Sequence, residues 1–100
     1  MIIVNGHLTI DPAQRDAAEA AIADAVAATR AEPGNIDYRF SADLADPGRI
    51  NMVEIWEDQA AIDAHMGTDH LAAFMTAIGP CVAGSVSITS YDIASSTTLM

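Results

Sequence analysis

Changes in hydrophobic period along the chain predict an α+β domain with the element order β-α-β-β-α-β. Four segments carry apolar residues at alternate positions, as half-buried strands do, and the regions between them carry apolar residues every third or fourth position, as helices do. The chain has 100 residues, room for one core. The expected architecture is therefore a ferredoxin-like sandwich, with helices on one face of an antiparallel sheet.

Ile2–Ile10 reads as the first strand, with Val4, Leu8 and Ile10 on one face and Ile3, Asn5, His7 and Thr9 on the other. Asp11-Pro12 opens a helix running to about Arg30: Asp11 caps, Pro12 suits the first turn, and Gln14 completes a capping-box spacing. Ala18, Ile22, Ala25, Val26 and Thr29 recur at helical spacing, and Glu32-Pro33-Gly34 ends the helix. Ile36, Tyr38, Phe40 and Ala42 then alternate with Asp37, Arg39 and Ser41. Asp46-Pro47-Gly48 turns the chain into a strand from Arg49 to Trp56, whose faces are Ile50, Met52, Glu54, Trp56 and Asn51, Val53, Ile55; the pair reads as a hairpin.

The second helix is split. Asp58 caps a short piece through Met66 that breaks at Gly67, and Thr68 caps a second piece carrying Leu71, Phe74, Met75 and Ile78, stopped at Gly79-Pro80. A last strand is expected over 84–93. The domain would thus occupy residues 1–93, with 94–100 as a small, polar tail.

Helices on one face leave the other face bare. Val4, Leu8, Val53 and Ile55 are its expected occupants, and covering them with a second copy predicts a homodimer. The composition agrees: 51% of residues are hydrophobic, 18% are charged, and the mean hydropathy is +0.23. At about 25 cal/mol per Å² of apolar area, burying such a face matters greatly to a domain this small.

Fourteen acidic against four basic residues give a net charge of −10. Nucleic acid and anionic membranes, which need clustered Lys and Arg, are excluded as partners. No apolar run of membrane-spanning length and no signal peptide occur, and Cys81 is the single cysteine. The expected compartment is the cytoplasm.

The segments Glu32-Pro33-Gly34-Asn35-Ile36-Asp37-Tyr38, Asp46-Pro47 and Val53-Glu54-Ile55-Trp56-Glu57-Asp58, followed by Ala60-Ala61-Ile62-Asp63-Ala64-His65-Met66, Thr68, His70 and Phe74, resemble the antibiotic-biosynthesis-monooxygenase family. The resemblance spans Ile2 to Ile93. It implies a dimeric α+β barrel that oxygenates quinols or polyphenolic aromatics with dioxygen and no metal, flavin or haem. In that chemistry the enzyme deprotonates the substrate, and the substrate anion reduces oxygen. Asn5, Trp56, His65, His70 and Phe74 match positions of the family's pocket. Met75 stands where haem-degrading relatives of this fold carry their haem-ligating histidine, which argues against haem oxygenation.

The residues themselves support such chemistry and also admit plainer roles. An imidazole, with an intrinsic pKa of about 6.5, suits a base that takes a phenolic proton, and His65 sits at a helix break from which it can reach a cleft; a histidine there can equally brace the corner. His70 is expected to bind substrate or orient His65, or to be a surface residue. Trp56 and Phe74 offer flat walls for an aromatic, yet both also suit the core. Asn5, expected beside His65 in the catalytic pair, can hold an oxygen substituent or satisfy a backbone group. Glu54 can raise the basicity of a histidine or pair with Arg39 or Arg49, since a buried carboxylate needs a partner. Glu54, His65 and His70 are metal-ligand types, but the histidine spacing across a helix break is not that of a zinc helix, so no metal is expected. No dinucleotide, Walker or nucleophile-elbow motif occurs. A cofactor-independent monooxygenase of small quinols is the reading carried forward. The alternatives are a non-catalytic barrel that binds a small hydrophobic ligand or acts in stress response, and an isomerase or decarboxylase using an acid–base pair without oxygen.

Overall fold

A computed structural model describes residues 1–100. Strands β1 (Ile2–Ile10), β2 (Asn35–Ala42), β3 (Arg49–Trp56) and β4 (Val82–Asp92) form one antiparallel sheet in the order β2-β3-β1-β4. Helices α1 (Arg15–Arg30), α2 (Gln59–Met66) and α3 (Asp69–Ile78) all lie on one face, the ferredoxin-like arrangement. No helix is long and apolar enough to cross a membrane.

The local signals act largely as their chemistry dictates. Asp58 and Thr68 cap α2 and α3 by accepting from the backbone N–H of Ala61 and Leu71. Asp11 caps a short 3-10 turn, Pro12–Gln14, rather than α1 itself, and the Gln14 side chain makes no capping bond. The expected capping box is therefore absent: the 3-10 turn intervenes and places Gln14 outside the first α-helical turn. Ala18, Ala25 and Thr29 form the buried stripe of α1, which packs against α3 and β2. Leu8, Ile10, Ile50, Phe74, Ile78 and Cys81 complete the core with Ala18 and Ala25. β4 begins at Val82, slightly earlier than the sequence suggests, because the chain leaves the Gly79–Cys81 turn already extended.

Two expectations about faces change. Ile36 does not share the buried face of Tyr38: the register slips between Asn35 and Asp37, and Ile36 is the extra, exposed residue of that irregularity. Val4 and Leu8 do not belong to the bare face. Residues opposite one another in an antiparallel pair share a face, and the register sets Val4 against Glu54 and Leu8 against Ile50. Leu8 is thus buried under the helices. The bare face carries Ile3, Asn5 and His7 beside Val53 and Ile55 instead.

Candidate functional site

Helices α2 and α3 stand off the sheet far enough to leave a cavity of about 590 Å³ between themselves, β1 and β4. Fourteen of its nineteen lining residues are hydrophobic, among them Val4, Leu8, Phe40, Met52, Leu71 and Phe74, so it suits a largely apolar ligand. Its polar atoms gather at one end, where Glu54 of β3, Tyr38 of β2 and His65 of α2 line the wall. The mouth is apolar as well. Met66, Met75, Val86 and Ile88 line the cavity and remain more than half exposed.

The polar end is assembled from distant parts of the chain. The last turn of α2 presents His65, which is buried. Its Nδ1 lies 2.7 Å from Oε2 of Glu32, and Nε2 of His70, at the start of α3, lies 3.0 Å from that same oxygen. A carboxylate only accepts, so each ring donates the nitrogen that faces it. That puts a proton on His65 Nδ1, and in the neutral ring it leaves the lone pair on Nε2. The loop carrying Glu32 is held by backbone bonds from Glu32 to Thr29 and from Glu57 to Gly34. Gly34 has φ +84°, and a Cβ there would lie 2.6 Å from Ala61 Cβ, so α2 rests directly on the loop. This contact brings His65 to Glu32. Thr68 Oγ1 closes the corner by donating to the His65 carbonyl.

Glu54 is the second carboxyl. It is buried, and its Oε1 accepts from Trp56 Nε1 at 2.9 Å. Burial pushes its pKa up; the Trp56 bond and the nearby His65 oppose that rise without cancelling it. Burial also, and then the Glu54 charge, hold the Tyr38 phenol far above its ordinary range. The one sealed side-chain polar atom without a partner in the protein is Thr29 Oγ1. His65 Nε2 and Glu54 Oε2, which make no protein hydrogen bond, are therefore not sealed, and both residues line the cavity.

Of the six candidates from the sequence, His65, Glu54 and Phe74 meet at the cavity. His70 and Trp56 stand behind it, holding Glu32 and Glu54; Trp56 is fully buried and is not a cavity wall. Asn5 stands apart, exposed on the opposite face of the sheet with His7, because it pairs with Val53 rather than with Glu54. Glu54 pairs with neither arginine: Arg39 binds Asp37 and Arg49 binds Asp43. The histidine partner is Glu32, which the sequence marks only as part of a helix stop. Glu32, His65 and His70 offer ligand-type atoms within 4.8 Å of one another. The shared oxygen sits at hydrogen-bond distance from both rings.

The model of the family described as antibiotic biosynthesis monooxygenase matches residues 1–77. The chain belongs to that family. Among relatives of this monooxygenase-type domain, the uncharacterized protein sll1783 of Synechocystis is 29% identical over 98 residues, covering 98% of this chain and 67% of the relative. YcnE of Bacillus subtilis, a proposed monooxygenase, is 28% identical over 75 residues, covering 75% of this chain and 79% of its own. The crystal structure of a proposed antibiotic biosynthesis monooxygenase from Deinococcus radiodurans superposes with a TM-score of 0.91 at 24% identity, covering 100% of this chain and 99% of that one, a likeness of fold.

Proposed function

We propose that this antibiotic biosynthesis monooxygenase domain oxidises a small quinol or phenolic aromatic with dioxygen, without a bound cofactor. The observation that carries the reading is the Glu32–His65 pair at an apolar cavity: His65 lines the cavity, its Nδ1 is engaged by Glu32, and its Nε2 has no protein partner. His65 Nε2 takes the phenolic proton, and Glu32 holds the ring in the required tautomer and stabilises the imidazolium. The apolar surroundings of Phe40 and Phe74 take the ring of the substrate. The resulting anion is electron-rich enough to reduce dioxygen directly. For a phenol with hydrogen on the para carbon, one oxygen atom joins that carbon and the other leaves as water, with all four electrons drawn from the substrate and quinone as the product. Glu54, which lines the cavity, accepts a hydrogen bond from a hydroxyl of the substrate. Trp56 and His70 position Glu54 and Glu32; Asn5, on the far face, takes no part in this site.

Oxygen uptake by metal-stripped protein with a panel of quinols tests the reading. Expected is uptake well above enzyme-free autoxidation that survives chelator and falls about 10²-fold or more in His65→Ala, the scale of a lost general base. Uptake no faster than autoxidation sinks it. One observation favours a second reading: the lining is so apolar that the cavity suits a hydrophobic ligand without any chemistry. Quinols that bind but consume no oxygen would select that non-catalytic role. We also infer a homodimer through the bare face, supported by Ile3, Val53 and Ile55 lying together there; light scattering showing a monomer at micromolar concentration refutes it.

A further inference from the structure

We infer that the cavity selects aromatic ligands by charge: it takes uncharged rings, rejects anionic ones, and Glu54 is the residue that decides. This rests on the proposal that the cavity is an aromatic-binding site, and adds which aromatics it admits.

Any ligand placed between Phe40, Phe74 and Met52 loses most of its water. A carboxylate or sulfonate keeps its charge there only if the site supplies a counter-charge. The site has no permanent one. The four basic side chains are Arg15, Arg30, Arg39 and Arg49, and none lines the cavity. Each is engaged elsewhere: Arg15 with Glu19 and Pro47, Arg30 with the Tyr38 carbonyl, Arg39 with Asp37, and Arg49 with Asp43 and Asn51. What the cavity does hold is the unpaired oxygen of Glu54. The titratable groups around Glu54 are Tyr38 of β2 and His65 of α2, with Glu32 and His70 behind His65. Counting Glu54, three of the five are acids, of which the Tyr38 phenol stays neutral, and the two histidines already share Glu32. An anionic ligand therefore enters only with a proton taken up by Glu54 or His65, and that cost grows as the pH rises. A neutral hydroxyl needs no such uptake, because it can donate to Glu54 or His65 and accept in turn.

The test compares two redox-inert ligands on one skeleton, 2-naphthylmethanol and 2-naphthalenesulfonate, by calorimetry at pH 8. Naphthylmethanol is expected to bind at least tenfold more tightly than the sulfonate. Glu54→Gln is expected to narrow the ratio severalfold, chiefly by tightening the sulfonate, with a cooperative urea transition serving as the check that the variant is folded. A second variant, Ile88→Arg, adds a cation at the exposed rim without touching the core and is expected to narrow or invert the preference. Equal affinity of the two ligands for the unmodified protein overturns the charge selectivity, as does a ratio that neither variant moves. Binding of neither ligand overturns the cavity as an aromatic site, and this inference with it. Neither compound is a quinol, so the result stands whether or not the protein consumes oxygen.

Discussion

Glu32→Ala removes the acceptor shared by two histidines, and the structure sets the size of the loss. The His65 side chain is 5% exposed and that of Glu32 12%, whereas His70 keeps 30%. Once Glu32 is cut back, water can replace it at His70 at little cost. At His65 the Nδ1–H is left in a nearly sealed corner against Trp56 and Tyr38, whose ring centres lie 4.8 and 5.7 Å from its own. A hydrogen bond to a charged group contributes about 1.5–3 kcal/mol, and an orphaned buried donor costs a similar amount. The expected destabilisation is therefore about 2–3 kcal/mol, nearly all of it through His65. For a domain of this size about 1 kcal/mol moves the melting temperature by about 4–8 °C, so a fall of about 10–20 °C should follow. Glu32→Gln can place its one carbonyl oxygen where both rings bond the same carboxylate oxygen, so it loses the charge but keeps the acceptor, and well under the Glu32→Ala loss should appear.

Urea titration read by tryptophan fluorescence suits the measurement, since Trp56 is the only tryptophan and touches the His65 ring. Protein concentration must be held fixed, because association would add its own contribution. A cycle of Glu32→Ala and His65→Ala isolates the pair, with an expected coupling of about 1.5 kcal/mol or more. A coupling below about 0.5 kcal/mol, the range of an exposed ion pair, would refute the argument that Glu32 holds His65.

Two further outcomes follow from single residues. Burial raises the Glu54 pKa in the folded state; above about pH 4.3 the unfolded chain ionises first, so this group subtracts stability as pH rises, and Glu54→Gln should gain stability relative to the unmodified protein between pH 4 and 8 in urea titrations; a constant difference across that range would count against it. Gly34→Ala combines a left-handed φ with a Cβ contact at 2.6 Å, and should cost at least about 1–2 kcal/mol in thermal melts; a loss under about 0.5 kcal/mol would show that α2 does not rest on the loop.

The strands and helices were legible because each carries its period and its stops in consecutive residues. Ile50, Met52, Glu54 and Trp56 alternate without a break, and Asp58 and Thr68 stand where caps are needed. Faces were harder, since they depend on register, which alternation alone leaves free. The sequence groups Val4 and Leu8 with Val53 on the bare face, yet β1 places them opposite Glu54 and Ile50. The same parity moves Asn5 away from His65. The site was legible where one helix supplied the residues, as with His65, and illegible where the partner came through folding. Glu32 lies 33 and 38 residues from its two histidines. Its only local signal, a glutamate before Pro-Gly, says that a helix ends.

The two carboxyls of the site answer different physical questions. Glu32 accepts from two imidazoles, and those bonds offset the cost of taking its charge out of water. Its presence is explained by what it holds. Glu54 receives one indole N–H and nothing more from the protein, in a chain that already carries a net charge of −10. A glutamine would accept the same bond without the charge, and a methionine would continue the lining of Met52 and Met75. Stability alone favours the glutamine, whereas the methionine would leave the buried Trp56 N–H without its acceptor. A group that costs stability, faces a cavity and stands across from a histidine with a free lone pair is best explained by what enters that cavity. Charge selection is the use that separates the two side chains: a glutamine makes the same hydrogen bonds but carries no charge to turn an anion away.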